Sequence, residues 1–440
     1  SGLITVQAGA ELNLVGRKLA NSVSLSGDGR NQQGLLTGAL SNSDPSNPNN
    51  FNGSFSFADI TGAVTLASQG ARVRSPYPMT LSGAIGGSGA LTVAGSVLTL
   101  NGANTYSGGT ILDGVTLALG SSGAIGSSGG IQFQNGGILR HGASNTTDYS
   151  ARFSSLAGQV YRIDIDGSNP GVTFASTFSS PDASLVKYGA GTLTLAAANT
   201  FAGPISVQAG ALKVTNASAL GASSSGTSVA LGSRLLFDIS GSPEISEPIT
   251  SVSSPDSMEH AGVVCLQSCS FVAPFTLQAD LHIASVDSAA PIDIGIGSQS
   301  QATAFIAATQ SAFELMFSGN QYTQFGVTSP IATATGGLRV RKFNSAAAGP
   351  VVTLSSANTF TGPVNLEAGS LVLSQGGSLS ATSPLIVLSP GSFIIQESKV
   401  IGSLAGSGSV SLPGSSVLSV GANNTSTAFS GGISGSGGVT

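Results

Sequence analysis

The chain of 440 residues has no tryptophan, only two cysteines and little charge, 15 Lys and Arg against 20 Asp and Glu for a net −5. A typical soluble domain carries about 25% charged residues, whereas here the figure is 8%. The usual charged shell is therefore excluded, and the surface must be built from Ser, Thr, Asn and Gly. Scattered basic residues give no footing for phosphate-dominated binding, so no nucleic-acid partner is expected. The nearest approach to a basic cluster is Arg339, Arg341 and Lys342. No apolar run nears the roughly 20 residues of a membrane helix, and six tyrosines without tryptophan argue against the aromatic girdles of a membrane barrel. Hydrophobic residues at 40% are too many for a solvated coil. The absence of a leader before Ser1 predicts a processed or excised piece.

Cys265 and Cys269 are four residues apart. In an extended strand that spacing spans about 13 Å, so a disulfide needs a local turn. The alternatives are free thiols or a metal set with His260, although the second ligand pair of a zinc site is missing. No metal, cofactor or catalytic residue is expected.

What is abundant is glycine, 61 residues, and it is organised. The string N-T-[FY]-[AST]-G-[GP] occurs at Asn104–Gly109, Asn199–Pro204 and Asn358–Pro363, with a looser copy from Asn423 to Gly432. Ile205, Val207, Ala209, Gly210, Leu212 and Val214 are matched by Val364, Leu366, Ala368, Gly369, Leu371 and Leu373. Strand-like T-L or V-L segments precede each turn, at 191–195, 96–100 and 350–354. A second string, G-x-[IL]-x-G-S-G-x-[LV], begins at Gly83, Gly402 and Gly431.

Alternation with period two marks strands with one buried face. Strands of four to six residues cannot close a core alone, and stacking successive units buries a continuous column instead. The expected fold is all-β, a single-stranded parallel β-helix or β-solenoid with loop or short helical insertions. Leu193 and Leu195, Ile205 and Val207, and Leu212 and Val214 should point inward from successive strands of one coil. The corners fall at Asn104, Tyr106 and Gly108, at Asn199, Phe201 and Gly203, and at Asn358, Phe360 and Gly362. Glycine suits corners by accepting positive φ, and asparagine can hydrogen-bond its own backbone and can stack on its equivalent in the next coil.

GAGTLTL at Gly189–Leu195, followed by ANTFAG and VQAGALKV, resembles the autotransporter-associated β-strand repeat of Gram-negative passenger domains. The resemblance covers roughly 97–126, 183–221 and 349–380. It implies a right-handed β-helix at, or released from, the cell surface, an adhesive or structural role, and an outer-membrane barrel outside this chain. It carries no catalytic residues to transfer.

Three regions are expected: a solenoid body over 1–234, divergent coils or an insertion over 235–334 carrying both cysteines, and a body over 335–440 continuing beyond the chain end. Within the divergent part, Phe305, Ala308, Ala312, Phe313 and Met316 have the spacing of a short helix, or belong to a divergent pair of coils. This segment and the Ser41–Phe55 loop are the expected hosts of a specific binding surface. Asp164 and Asp166 suggest calcium, but the EF-hand pattern fails for want of its terminal Glu. Gly126–Gly130 fits G-x-S-x-G in a chain where such matches arise by accident. The densest acidic group, Glu244, Glu247, Asp256 and Glu259, is the place a polysaccharide-degrading enzyme would need it. The expected function is a non-enzymatic exported adhesin body, stalk or fibre. Its partner would be a host or neighbouring cell surface, a glycan, or a second copy joined head to tail by strand addition at the two apparently uncapped ends.

Overall fold

The computed structural model describes residues 2–32, 35–42, 57–126, 128–241, 243–252, 261–285, 291–295, 306–308, 313–342 and 348–440. The chain divides into two compact units, Ser1–Gly203 and Pro204–Thr440. Each is a β-solenoid of short parallel strands. Among the described residues the one helical turn is the 3₁₀ turn Ser150–Arg152, and no helix is long and apolar enough to cross a membrane.

In the first unit, one sheet runs through Ile4–Val6, Val23–Gly27, Val64–Ser75, Leu91–Gly95, Thr110–Asp113 and Ile131–Gln134. A second runs through Ala58–Ile60, Met79–Leu81, Val97–Leu100, Thr116–Leu119, Ile138–His141, Val160–Ile165 and Ser184–Tyr188. The described pairs within both are parallel, with one register shift between Leu25 and Gly27 against Val64–Ser75, and an antiparallel pairing joins Asn31–Gln32 to Leu35–Leu36.

Register places like on like. Met79, Leu98, Leu117, Leu139 and Ile163 form one interior column, and Leu81, Leu100 and Leu119 form a second. Both columns then turn polar. His141 lies over Leu119, and Lys187 lies over Ile163. Both side chains are fully buried.

The second unit has three principal parallel sheets. Its best developed interior column is Leu212, Leu235, Val263, Ile283, Phe317, Val340, Leu366 and Val387, every member fully buried. Each contributes on the order of 2 kcal/mol of transfer free energy. A parallel column runs through Phe271, Ile294, Val327, Leu354, Leu373 and Ile395. Burial alternates along most of the strands, as in Ala211–Val214, because successive side chains leave opposite faces.

All six residues expected to face inward, Leu193, Leu195, Ile205, Val207, Leu212 and Val214, are buried. Their assignment to a single coil needs correction. In the copies that lie within one unit, the strand before the N-T-[FY] turn stacks directly on the second strand after it. Val97 pairs with Thr116 and Val351 with Ser370, each 19 residues on. The motif therefore spans one full coil plus the first rung of the next.

Of the two readings of 301–317, a short helix or divergent coils, the described residues do not fit the helix. They form strands, Ile306–Ala308 and Leu315–Gly319, in the parallel stack. Phe305 and Ala312 lie outside the described residues, as do residues 43–55 of the Ser41–Phe55 loop.

Candidate functional site

The recurrent turn is where sequence repetition becomes a specific geometry. Asn104 is buried, and its Oδ1 accepts the Ile85 N–H of the preceding coil at 2.7 Å while its Nδ2 donates to the Ala124 carbonyl of the following coil at 2.6 Å. Asn358 repeats the device, accepting from Ile331 N–H at 2.9 Å and donating to the Ser378 carbonyl at 2.8 Å. Asn199 Oδ1 accepts from Phe178 N–H at 2.8 Å. These amides bridge coils through the backbone of the neighbouring turns, and Asn358 also donates to the carbonyl of Ser356 in its own turn at 2.9 Å. Each satisfies main-chain groups that a turn leaves without a ladder partner.

The aromatic residue of the turn is an interior residue. Tyr106, Phe201 and Phe360 are all fully buried, and Tyr106 Oη shares a 2.7 Å hydrogen bond with Thr110 Oγ1. The glycine that follows is needed for a reason other than the one expected. Gly108, Gly203 and Gly362 do not have positive φ. A Cβ on Gly362 would stand 2.4 Å from the carbonyl oxygens of both Gly336 and Thr335, and one on Gly203 would stand 2.4 Å from the Ala183 oxygen. Close coil stacking, not backbone handedness, excludes a side chain there. Positive φ is required at the next corner, at Gly369 and Gly210.

Cys265 and Cys269 are joined by a disulfide with Cα atoms 6.2 Å apart. Cys265 ends strand Ala261–Cys265 and Cys269 begins Cys269–Phe271, so the bond closes the corner between two sheets of one coil. Both residues are buried. His260 lies outside the described residues.

The acidic candidates disperse. Glu247 is buried, and burial pushes its carboxyl up to about 7 although Thr227 donates to its Oε1 at 2.7 Å. Glu244 is exposed, and Asp256 and Glu259 lie outside the described residues. Asp164 is held by Arg140 Nε at 2.6 Å, and Asp166 accepts from Ser168 N–H at 2.9 Å in a local turn. Among the described residues no group of three metal-ligating side chains converges. Within the G-x-S-x-G match the carbonyls of Gly126, Ser128 and Gly129 accept hydrogen bonds from Arg152. Of the basic trio, Arg339 lies between Glu314 and Glu367, which neutralises it, while Arg341 and Lys342 are exposed.

Sequence reasoning missed the two buried basic side chains. Burial drives His141 down to about 4, opposed by its hydrogen bonds to Asn145, and leaves Nε2 without a partner. Lys187 is driven down to about 8 by burial while Asp164 opposes the shift, and its Nζ donates to the Tyr188 and Gly189 carbonyls at 2.6 and 2.8 Å. Parity held the signal for the lysine. Leu185 faces inward, so Lys187, two residues on, must as well.

No curated protein and no solved structure matches the chain. The family model of the passenger-associated-transport-repeat matches residues 95–119, 185–214 and 351–373. The first and third segments are the strand–turn–strand–corner–strand units just described, and the second contains the motif copy centred on Asn199–Gly203. The chain thus carries three passenger-associated-transport repeats on a β-solenoid, consistent with an autotransporter passenger repeat protein, a family that implies export to the surface of a Gram-negative bacterium and an outer-membrane barrel partner outside this chain.

Proposed function

We propose that the chain is the body of an exported passenger that serves as a non-enzymatic adhesin body or structural stalk. The observation that carries this reading is the coincidence of the family match with the coil-locking turns. Segments 95–119 and 351–373 hold Asn104, Tyr106 and Gly108, and Asn358, Phe360 and Gly362, whose contacts all serve stacking. A chain whose most repeated residues are committed to coil-on-coil contact presents length and surface, not a reaction centre. The buried Cys265–Cys269 bond supports exposure to an oxidising compartment, where disulfides form and persist. The dispersal of Glu244, Glu247, Asp164 and Asp166 supports the non-enzymatic part.

The test is surface labelling of intact Gram-negative cells expressing the gene, with an antibody to this chain. Labelling without permeabilisation is the expected result, and signal confined to permeabilised cells overturns the reading. Beads coated with the purified chain should then adhere to host or bacterial cells if the role is adhesive. The same preparation should release no new reducing ends from a polysaccharide panel.

A further inference from the structure

The first unit carries a groove that neither the repeat nor the export reading explains. The sheet through Leu91–Gly95, Thr110–Asp113 and Ile131–Gln134 stops there, and the chain above contributes one isolated bridge, Phe153 to Ile131. The 3₁₀ turn Ser150–Arg152 and the segment after it leave the sheet. A depression of about 580 Å³ results, open to solvent and lined in part by Ile111, Gln132, Arg152, Phe153, Ser154 and Ser155. That volume falls in the range of small-ligand sites, roughly 300–1,000 Å³.

Its chemistry is lopsided. No lining residue is acidic. Arg72, Arg140 and Arg339 each lie against a carboxylate, but Arg152 has no carboxylate partner among the described residues. Its guanidinium is instead fixed by three carbonyls, Gly129 from Nε at 2.8 Å and Gly126 and Ser128 from Nη1 and Nη2 at 2.6 Å each. Three of the five N–H donors are used, and the positive charge is held still without being neutralised. Next to it, the Gln132 carboxamide makes no hydrogen bond to any described residue, and neither does the Ser155 hydroxyl. Ile111, paired with Gln132 across the sheet, supplies an apolar patch.

A fixed unpaired guanidinium, a free carboxamide and hydroxyl, and a small apolar floor match a ligand with an anionic group, vicinal hydroxyls and a weakly polar ring face. We infer that this groove is a binding site for an acidic saccharide, with Arg152 taking the carboxylate and Gln132 bridging adjacent hydroxyls. Resting on the surface-passenger reading, this names the class of partner such a passenger would hold. A charge-assisted contact of this kind contributes about tenfold or more in affinity.

The test is calorimetric titration of the whole chain with an oligogalacturonate, its neutral galacto-oligosaccharide counterpart and a polyglutamate peptide. Saturable binding of the oligogalacturonate is expected, at least about tenfold tighter than either comparator. Because Arg152 also clamps the Gly126–Gly129 bend, the diagnostic variants are Gln132→Ala and Ile111→Asp, which leave that clamp intact. Each should weaken binding about tenfold without lowering the thermal unfolding midpoint. No saturable binding, equal binding of the neutral sugar or the peptide, or affinity indifferent to both variants overturns the assignment. Surface labelling of cells reads the passenger function separately, so a displayed chain that binds no saccharide sinks this inference alone.

Discussion

His141 lies directly over Leu119 in an interior column of the first unit, a titratable ring on a rung where Leu81, Leu100 and Leu119 set the pattern. Its Nδ1 lies 3.1 Å from Asn145 Oδ1, and its buried Nε2 has no partner. Substituting His141→Leu removes an unsatisfied polar atom and continues the column, so the unit should gain about 1–2 kcal/mol. Urea denaturation of the variant and the parent at neutral pH measures the difference.

The same ring sets an acid limit. Its folded value of about 4 lies below the ordinary 6.5, so the unfolded chain takes up the proton first. Stability from this group is complete above 6.5 and declines as pH falls towards 4, by on the order of 3 kcal/mol in all. Thermal midpoints of the parent should fall through that window more steeply than those of His141→Leu.

Lys187 is a second buried base whose folded value is lowered by burial, so its pH dependence has the same sign. Its folded value of about 8 lies below the ordinary 10.5, so the fold loses stability as pH drops from 10.5 to 8 and no further below. Replacing it with Met, which fits the column over Ile163 and carries no charge, should raise stability at pH 7 and remove the alkaline dependence. Chemical denaturation at pH 7 and pH 10 reads both effects.

At the turns, Asn358→Ala removes bridges to Ile331 N–H and the Ser378 carbonyl and should cost about 2–3 kcal/mol. Gly362→Ala should cost at least as much, because the new Cβ meets two carbonyl oxygens at 2.4 Å. Hydrogen exchange should show amide protection lost first around Ile331 and Ser378 in Asn358→Ala and around Thr335 and Gly336 in Gly362→Ala.

Reducing the Cys265–Cys269 bond releases a loop of only a few residues, which predicts a loss of about 2 kcal/mol in the second unit on the chain-entropy account. Differential scanning calorimetry with and without reductant measures it. Cys265→Ala in the presence of reductant should then add little beyond a small cavity.

Much of the interior was legible because strand parity is a local property. Once Leu193 or Leu212 is placed inward, its neighbours follow. Parity does not say which sheet a strand joins, and that is why Leu193, Ile205 and Leu212 fit a single coil on sequence grounds, whereas the equivalent strands Val97–Leu100 and Thr116–Leu119 stack on each other. The helical alternative at Met316 was open for another physical reason. Leu315–Gly319 is buried on both faces, with Met316 between His282 and Arg339 on the outer side, so the alternation that marks a strand disappears. The groove beside Arg152 left no trace in the repeat at all, since it arises where the repeat is interrupted.

The 19-residue step from Val97 to Thr116 and from Val351 to Ser370 has a consequence for how such chains change length. A segment that begins and ends on the same rung can be copied or cut out with every neighbour still in register. Growth and shrinkage by whole turns thus keep the strands in register, provided each copied turn carries the asparagine and the close-packed glycine that meet its neighbours.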